Sequence, residues 1–428
     1  MNHMRERLMI MISSVLLMSC LLGGCTAEPA VSSLHASSSK QESSSLASVS
    51  SDPSSQTASV SSNTSSQISS VPTSTKKDLA ALKQVDFVVE VESGRDPVVL
   101  QLTDTQIIDS SQKRTPTRLG DVQTALWAKD QVNYCCYDHI TEIINATKPD
   151  LILLTGDVVY GEFDDNGSSL TDFVAFMETF KIPWAPVFGN HDEETVLGVD
   201  WQCEQFEKAE YCLFKQRELT GNGNYTVGIK QDGKLRRVFF MLDSNGCTWM
   251  SQKSKENGHY RTAAGFGQDQ IDWYTNTINE IKKNSPDTKY SFAFHIQLQA
   301  FADALAKYGF TNQNTINNPI NIDKKTDKSS QDFGYIGRDL KNPWDTDYTV
   351  WNGLKALGVD SVFVGHEHCN SASVVYEGVR LQFGQKTGMY DRANYHDGDG
   401  GYEGGSMLNK NPVSGGSVFV MSKNDCSE

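Results

Sequence analysis

The sequence predicts an α/β fold, and two observations lead to that class. First, apolar runs alternate with amphipathic helical patterns, beginning with the order strand, helix, strand, helix, strand from about residue 97. This order is typical of a parallel sheet whose strands are joined by right-handed crossovers. Second, five of the apolar runs end in a motif containing Asp, Asn or His. Side chains at the carboxyl ends of such strands line a common crevice, so these endings predict a functional site.

The first three strands are predicted from short apolar runs. "PVVLQLTD" ends at Asp104, "DLILLTGD" has its apolar residues at 151–154, and "IPWAPVFGNHD" leads into a turn. The two segments between them have helical periodicity. "YCCYDHITEIINATK" carries its apolar residues on one face and is ended by Pro149, and "SLTDFVAFMETF" is also helical.

The second half of the chain continues this alternation. Strands are predicted at "NYTVGI", "RRVFFMLD", "KYSFAFH", "DSVFVGHEH", "GVRLQFG" and "GSVFVMS", and helices at "GQDQIDWYTNTINEIKK" and "TVWNGLKALG". A further helix is predicted over "DWQCEQFEKAEYCLFKQ", which would separate Cys203 from Cys212 by roughly 13 Å. That separation is too long for a disulfide, so no disulfide framework is expected.

The amino terminus predicts export and a membrane anchor. "MNHMRER" is followed by an apolar run that ends in "LLGGC" at Cys25. This resembles a bacterial lipoprotein signal, in which Cys25 is lipidated; the alternatives are an ordinary secretory signal cut nearby or use of Cys20. Residues 26–78 are dominated by serine and cannot offset the entropy of ordering, so they predict a flexible tether. We therefore expect a signal peptide (1–25), a tether (26–78) and one folded domain (79–428), lipid-anchored outside the cytoplasm at the bacterial cell surface.

The charge of the chain argues against a nucleic-acid partner. The formal net charge is −15, and the basic run of the predicted domain is limited to "KLRR". Binding a phosphate backbone needs clustered Lys and Arg. We expect contact with the membrane only through the lipid anchor, and a monomer.

Two histidines follow one of the predicted strands, in "FVGHEHCN". Side chains at positions i and i+2 of an extended segment point the same way, so His366 and His368 can reach into one pocket. Alone, this pattern also fits a solvated strand end. The other strand endings are "TDTQ" with Asp104, "TGDVVY" with Asp157, "GNHD" with Asn190, and "FAFH" with His295. Five such endings in one chain indicate a metal site.

This ordered set of motifs resembles the calcineurin-like metallophosphoesterase superfamily, whose pattern is D-x-H, G-D-x-x, G-N-H-[DE], a lone H and G-H-x-H. The resemblance extends from about Val98 to Val420, and its most specific parts, "GNHD" and "GHEH", are intact. "KPDLILLTGDVVYG" and "KIPWAPVFGNHD" are most similar to the purple-acid-phosphatase-related branch. The resemblance implies a four-layer α/β/β/α sandwich of two mixed sheets, with two metal ions at the edge of the sheets.

The resemblance also implies a role for each matching residue. Six residues would bind the ions: Asp104 and His368 the first, Asn190, His295 and His366 the second, and Asp157 both. His191 would donate a proton and would be oriented by Asp192. The two ions would be divalent or trivalent, with Mn, Fe and Zn as the candidates.

Two further positions leave the ligand set open. The first motif ends in Gln106 where the superfamily has histidine. Its amide oxygen could bind the first metal directly or through water, which predicts a weaker site or a preference for a harder ion such as Mn²⁺. "GDVVY" matches the G-D-x-x-Y of purple acid phosphatases, whose tyrosine binds iron, so Tyr160 is either an iron ligand or a packing residue.

The activity implied by the resemblance is hydrolysis of a phosphate ester by a metal-bound hydroxide. Only Asp104 and Asp157 would offset the charge of the metals, so the pocket would stay cationic within an acidic protein and attract phosphate. Two alternatives are a phosphodiesterase of the same superfamily and a non-catalytic surface protein whose degenerate site binds a ligand. Gln106 favours the non-catalytic alternative, whereas the intact "GNHD" and "GHEH" favour an enzyme.

Overall fold

The computed structural model describes residues 80–109, 131–160, 166–246, 252–257, 264–313, 318–322, 331–337, 340, 343–388 and 416–421. The predicted signal peptide and tether, residues 1–78, lie outside them. Within these ranges, no helix combines the length and apolar character needed to span a membrane.

The described residues include thirteen strands and seven α-helices. The strands are β1 (Phe87–Val91), β2 (Val98–Leu102), β3 (Leu151–Leu154), β4 (Trp184–Pro186), β5 (Tyr225–Gln231), β6 (Lys234–Met241), β7 (Lys289–Ala293), β8 (Ile320–Asn321), β9 (Phe333–Ile336), β10 (Val359–Val364), β11 (Asn370–Tyr376), β12 (Val379–Phe383) and β13 (Ser417–Val420). The helices are α1 (Gln131–Thr147), α2 (Ser168–Glu178), α3 (Val199–Lys208), α4 (Gln252–Glu256), α5 (Gln268–Asn284), α6 (Gln299–Ala306) and α7 (Thr349–Ala356), and a 3₁₀ turn spans Asp192–Glu194.

The strands form two mixed sheets. The larger sheet has the order β1-β5-β6-β7-β10-β12-β11-β9-β8, and the smaller has the order β13-β2-β3-β4. In the smaller sheet β2, β3 and β4 are parallel and β13 is antiparallel. In the larger sheet β6, β7, β10 and β12 are parallel neighbours, so the strands that carry the predicted ligands run in one direction within each sheet.

Alternate side chains of the larger sheet pack into two different cores. Phe239 on β6 and Phe363 on β10 lie in the core between the sheets, and the Phe363 ring centroid is 5.7 Å from that of Phe419 on β13. Their neighbours Phe240 and Val362 lie in the second core, together with residues of α5, α6 and α7. Residues of α1, α2 and α3 pack with the smaller sheet. The predicted four-layer α/β/β/α sandwich of two mixed sheets is therefore confirmed.

One predicted helix is wrong in its second half. Helix α3 ends at Lys208, and Cys212 instead forms a β-bridge with Trp184 of β4. A segment that pairs with a strand cannot remain helical, so tertiary pairing overrides the local pattern. Cys203 and Cys212 are buried, and neither is part of a disulfide.

Candidate metal centre

The predicted ligands lie at the carboxyl ends of five strands from both sheets. Three follow strands of the smaller sheet: Asp104 after β2, Asp157 after β3 and Asn190 after β4. Three follow strands of the larger sheet: His295 after β7, and His366 and His368 after β10. The site is thus built where the edges of the two sheets meet, on rigid elements that hold its side chains in place.

Two groups of potential ligand atoms converge at this edge. One group consists of Asp157, His295 and His366, the other of Asp104, Asp157 and His368, and the ligand atoms within each group lie within 4.8 Å of one another. Asp157 belongs to both groups. This is the position that a bridging carboxylate requires. The Asp104 and Asp157 side chains are buried, so their charge needs compensation inside the protein.

Asn190 lies against the group formed by Asp157, His295 and His366. Its Oδ1 atom is 3.1 Å from Nε2 of His295 and 2.7 Å from Nδ1 of His366. Nδ1 of His295 is 2.8 Å from the carbonyl oxygen of Thr155, a contact in which it donates and which leaves Nε2 for ligation. Nε2 of His366 is buried and has no hydrogen-bond partner among the described residues. Oδ1 of Asn190 and the Nε2 atoms of His295 and His366 are therefore suited to binding a metal ion.

The carboxylate of Asp104 is held by three neighbours. Its Oδ1 atom is 3.1 Å from Nε2 of His368. Its Oδ2 atom accepts a hydrogen bond from the Thr103 hydroxyl at 2.7 Å and another from the backbone N–H of His366 at 3.0 Å. The loops after β2 and β10 are therefore joined through one predicted ligand, which fixes its orientation.

Gln106 lies between two predicted ligands. Its amide nitrogen is 3.2 Å from Oδ2 of Asp157 and 3.2 Å from Nε2 of His368. The sequence predicted that the amide oxygen could bind the first metal directly or through water, and this stays a prediction. A carboxylate oxygen only accepts hydrogen bonds, so in this structure the Gln106 amide presents its donor to Asp157.

The prediction that Asp192 orients His191 is wrong. The Asp192 carboxylate accepts three backbone hydrogen bonds, from the N–H groups of Asp157 at 2.8 Å, Val159 at 3.0 Å and Gly189 at 2.6 Å. Nδ1 of His191 is instead 2.9 Å from Oε1 of Glu194. In the 3₁₀ turn, side chains at positions i and i+3 are neighbours, whereas the next residue points elsewhere. Asp192 therefore joins the loops after β3 and β4.

Comparison with known proteins decides the family. Residues 97–370, more than half of the chain, match the calcineurin-like phosphoesterase family. The chain belongs to this family. The predicted resemblance is confirmed at this level, and metal binding is a property that the family implies.

Relatives of this calcineurin-like phosphoesterase include phosphatases and purple-acid-phosphatase-related proteins. Phosphatase DCR2 of Saccharomyces cerevisiae is 25% identical over 245 residues, which cover 54% of this chain and 38% of that protein. Probable inactive purple acid phosphatase 29 of Arabidopsis thaliana is 27% identical over 275 residues, covering 59% and 62%. The chain thus spans less than two thirds of each relative. A dimetal phosphatase structure from Danio rerio aligns over 69% of this chain and 88% of its own, with 10% identity and a TM-score of 0.40.

The titratable groups of the calcineurin-like phosphoesterase centre shift one another's pKa values. Burial would lower the pKa of His295, but the Asp157 carboxylate raises it to about 10. Burial would raise the pKa of Asp157, and the charges of His295 and His191 lower it. Burial and the charge of His295 lower the pKa of His366 to about 3. The Asp157 carboxylate thus favours the protonated form of His295, and a bound cation would take the place of that proton.

Two motif glycines lie where the backbone passes very close to a predicted ligand. A Cβ atom at Gly189 would overlap the Asp157 carboxylate, and one at Gly365 would overlap Thr103 and Asp104. Only glycine lets these loops approach so closely. The glycines of "GNHD" and "GHEH" thus have a packing role at the ligands.

Several residues of the site have a strained backbone. Asp104, Gln106, Asp157 and His366 are left-handed, with φ values of 49°, 43°, 52° and 71°. For residues with a Cβ atom this conformation costs about 1–2 kcal/mol each. Such strain persists where the surrounding structure enforces a particular side-chain direction, as at binding and catalytic sites.

Tyr160 packs beside the predicted proton donor. Its ring is nearly perpendicular to the His191 ring, with an interplanar angle of 75° and 4.6 Å between centroids. Its backbone N–H donates to the carbonyl oxygen of Ile107 at 2.9 Å. The packing role weighed from the sequence is thus present, and iron ligation stays a prediction.

Several supporting residues were not predicted. Thr103 and Thr155 bind predicted ligands through a hydroxyl and a carbonyl group. The buried ammonium of Lys386 donates to the carbonyl oxygen of Asp104 at 2.7 Å. The i,i+3 spacing to His191 could have indicated Glu194, provided the turn was recognised as helical. Lys386 follows β12, and no local pattern connects it to Asp104.

Gln106→His is expected to strengthen metal binding at the group that contains Asp104 and His368. An imidazole nitrogen is a better donor to transition metals than a neutral amide, and this substitution restores the motif of the superfamily. Mn²⁺ binding, measured by calorimetry with chelator competition, should tighten, and turnover should depend less on added Mn²⁺. Unchanged affinity would contradict the position assigned to residue 106.

Gln106→Ala is the matched control. Because the amide donates to Asp157 in this structure, its loss should weaken metal binding by no more than about 100-fold, the usual range for a group behind the ligands. A larger loss would show that the amide oxygen is itself a ligand.

Proposed function

We propose that this calcineurin-like phosphoesterase is a two-metal hydrolase of phosphate esters. The observation that carries the proposal is that Asp157 belongs to both ligand groups. Within each group, the ligand atoms lie within 4.8 Å of one another. Two bound ions would polarise the ester and lower the pKa of an attacking water. The residues of this chain supply the ligands and hold them: Thr155 orients His295, and Gln106 supports Asp157.

His191 is proposed to donate the proton to the leaving oxygen. Its backbone N–H donates to Oδ1 of Asp157 at 2.9 Å, which places the residue directly beside the shared carboxylate. Its side chain is 19% exposed, so a substrate can reach it. A positioned histidine next to the site of bond cleavage is suited to general acid catalysis.

Hydrolysis assays on the full-length protein test this proposal. 4-Nitrophenyl phosphate and bis(4-nitrophenyl) phosphate are incubated with the protein after chelation and after addition of Mn²⁺, Zn²⁺ or Fe²⁺. Metal-dependent hydrolysis of the first ester supports a phosphatase. Preference for the second supports the phosphodiesterase alternative. Hydrolysis of neither ester with any metal contradicts the proposed function.

A non-catalytic binding protein is the second candidate. Gln106 favours it, because a neutral amide stands where the superfamily has histidine, and in this structure that amide donates to Asp157. The name of the Arabidopsis relative, which calls that protein probable inactive, is in line with it. Metal-dependent binding of inorganic phosphate without turnover of either ester would support this candidate.

Tyr160→Phe tests whether one ion is iron bound by tyrosine. A tyrosinate ligand to Fe³⁺ would produce a visible charge-transfer band, and we expect this band to disappear in Tyr160→Phe. The absorption spectrum of iron-loaded protein is the measurement, and Tyr134→Phe on the exposed face of α1 is the control. A colourless, active, iron-loaded wild type would exclude Tyr160 as a ligand.

We further propose that the phosphoesterase is a lipid-anchored protein of the bacterial cell surface. "LLGGC" and the serine-rich residues 26–78 support this proposal, and they lie outside the described residues. Expression of the full-length chain followed by membrane fractionation tests it. Cys25→Ala should move the protein out of the membrane fraction, and equal membrane association of both proteins would contradict the anchor.

A further inference from the structure

We infer that Glu194 is the positioning residue of His191, an inference that rests on the proposed phosphoesterase function. Oε1 of Glu194 is 2.9 Å from Nδ1 of His191, and the side chains are 2% and 19% exposed. A buried carboxylate beside a half-buried imidazole is the arrangement that fixes the orientation and the tautomer of a histidine. The general motif, read from the sequence, had pointed to Asp192 for this role.

The local backbone makes this pair possible. The backbone N–H of Glu194 donates to the carbonyl oxygen of His191 at 3.2 Å, which closes the 3₁₀ turn and brings the two side chains to the same side. Asp192 is already engaged by three backbone N–H groups. The two carboxylates of the turn therefore have different partners: Asp192 binds the loops after β3 and β4, and Glu194 binds the His191 ring.

The ring of His191 is confined by its surroundings. Glu194 binds Nδ1, Tyr160 packs at a centroid distance of 4.6 Å, and the backbone N–H of His191 is bound to Asp157. With Nδ1–H donating to Glu194, Nε2 is the nitrogen that can act on a substrate. A ring held in one orientation loses less entropy when the reacting atoms are aligned.

The step that this arrangement serves is cleavage of the ester bond. The oxygen of water forms the new P–O bond, the ester P–O bond breaks, and its electron pair goes to the leaving oxygen. That oxygen takes the proton from Nε2 of the doubly protonated His191 ring, whose Nδ1–H stays bound to Glu194, and the proton released by water returns to Nε2. Proton donation matters most for esters whose leaving group is a poor one, because such an oxygen cannot depart as an anion.

Glu193 provides a matched control. It neighbours Glu194 in the same 3₁₀ turn and is also buried, but its Oε1 atom accepts a hydrogen bond from Nδ2 of Asn222 at 2.7 Å. Glu193→Gln and Glu194→Gln remove the same charge from the same turn. A difference between these variants therefore reports on the contact to His191.

The first experiment compares two esters. In Glu194→Gln, kcat for phenyl phosphate should fall by about 10²-fold, whereas kcat for 2,4-dinitrophenyl phosphate should fall by less than about tenfold, with metal content unchanged. Glu193→Gln should stay within about threefold of wild type for both esters. In the His191→Ala background, adding Glu194→Gln should change kcat by no more than about twofold. Equal losses for the two esters, or equal losses in the two variants, would overturn the inference.

The second experiment does not depend on turnover. Protein labelled with ¹⁵N-histidine is studied by NMR, and the His191 signals are assigned by their loss in His191→Ala. We expect a proton on Nδ1 in wild type and in Glu193→Gln, with a changed Nδ1 signal in Glu194→Gln. Glu194→Asp keeps a carboxylate at this position, so it should partly restore the wild-type Nδ1 signal. It also serves as the test variant if Glu194→Gln does not fold. A wild-type Nδ1 without a proton overturns the pair, whereas hydrolysis of no ester by wild type overturns the proposed function alone.

Discussion

Asp157→Asn is expected to lower turnover by at least about 10⁴-fold, which corresponds to roughly 5.5 kcal/mol of lost transition-state stabilisation. Asp157 is the residue shared by both ligand groups. An amide of the same shape offers a neutral oxygen and cannot bridge two cations as a carboxylate does. The variant should therefore lose bound metal. Activity assays and elemental analysis of the purified protein are the measurements.

The fold of Asp157→Asn should persist. The amide oxygen can still accept the hydrogen bond from the His191 N–H, and the residue keeps its size in the buried site. Asp332→Asn is the control, because the Asp332 carboxylate is also buried but binds Lys307 and the Tyr308 hydroxyl beside β9. It should retain metal and turnover. Full metal content and activity in Asp157→Asn would rule out a shared carboxylate ligand.

His191→Ala is expected to lower turnover by about 10²–10⁴-fold while metal binding is retained. Nδ1 of His191 is bound to Glu194, and the ring is proposed to act as a proton donor and not as a ligand. Elemental analysis should therefore give the metal content of wild type, and kcat should fall. His139→Ala, on α1, is the control for loss of a histidine and should leave both quantities unchanged.

The two variants together test the division of roles at the site. Asp157→Asn should lose both metal and turnover, whereas His191→Ala should lose turnover alone. Equal loss of metal in both variants would contradict this division, because it would place His191 among the ligands. A His191→Ala protein with wild-type kcat for phenyl phosphate would remove the proposed proton donor.

The sequence predicted most of the strands near the site but fewer of those at the edges. β2, β3, β4, β7 and β10 are rich in apolar residues, because both faces of these strands are mostly buried, and such a strand is recognisable by composition. β1, β8, β9 and β11 were missed. They are short or partly exposed, and their place depends on pairing with strands that are distant in the chain.

The residues of the candidate site were predictable for a related reason. Polar side chains that end buried strands must face the crevice at the sheet edge, so their positions follow from local pattern and from motif order. The strand ends bring together Asp104, Asp157, Asn190, His295, His366 and His368, as the sequence led us to expect. Which of these atoms hold metal ions remains part of the proposed function.

Local pattern by itself determined where most of the strands and helices near the site lie and which polar residues end those strands, because a side chain's direction follows from the helical or extended repeat of its own segment. The partner of each side chain was decided only by the tertiary structure. Asp192 is next to His191 in the sequence and Glu194 is three residues away, but the 3₁₀ turn brings Glu194 to the ring, and Asp192 binds three backbone N–H groups. Gln106 likewise presents its amide nitrogen because the folded chain places Asp157 beside it. Such pairings depend on atoms from distant segments, and no local repeat encodes them.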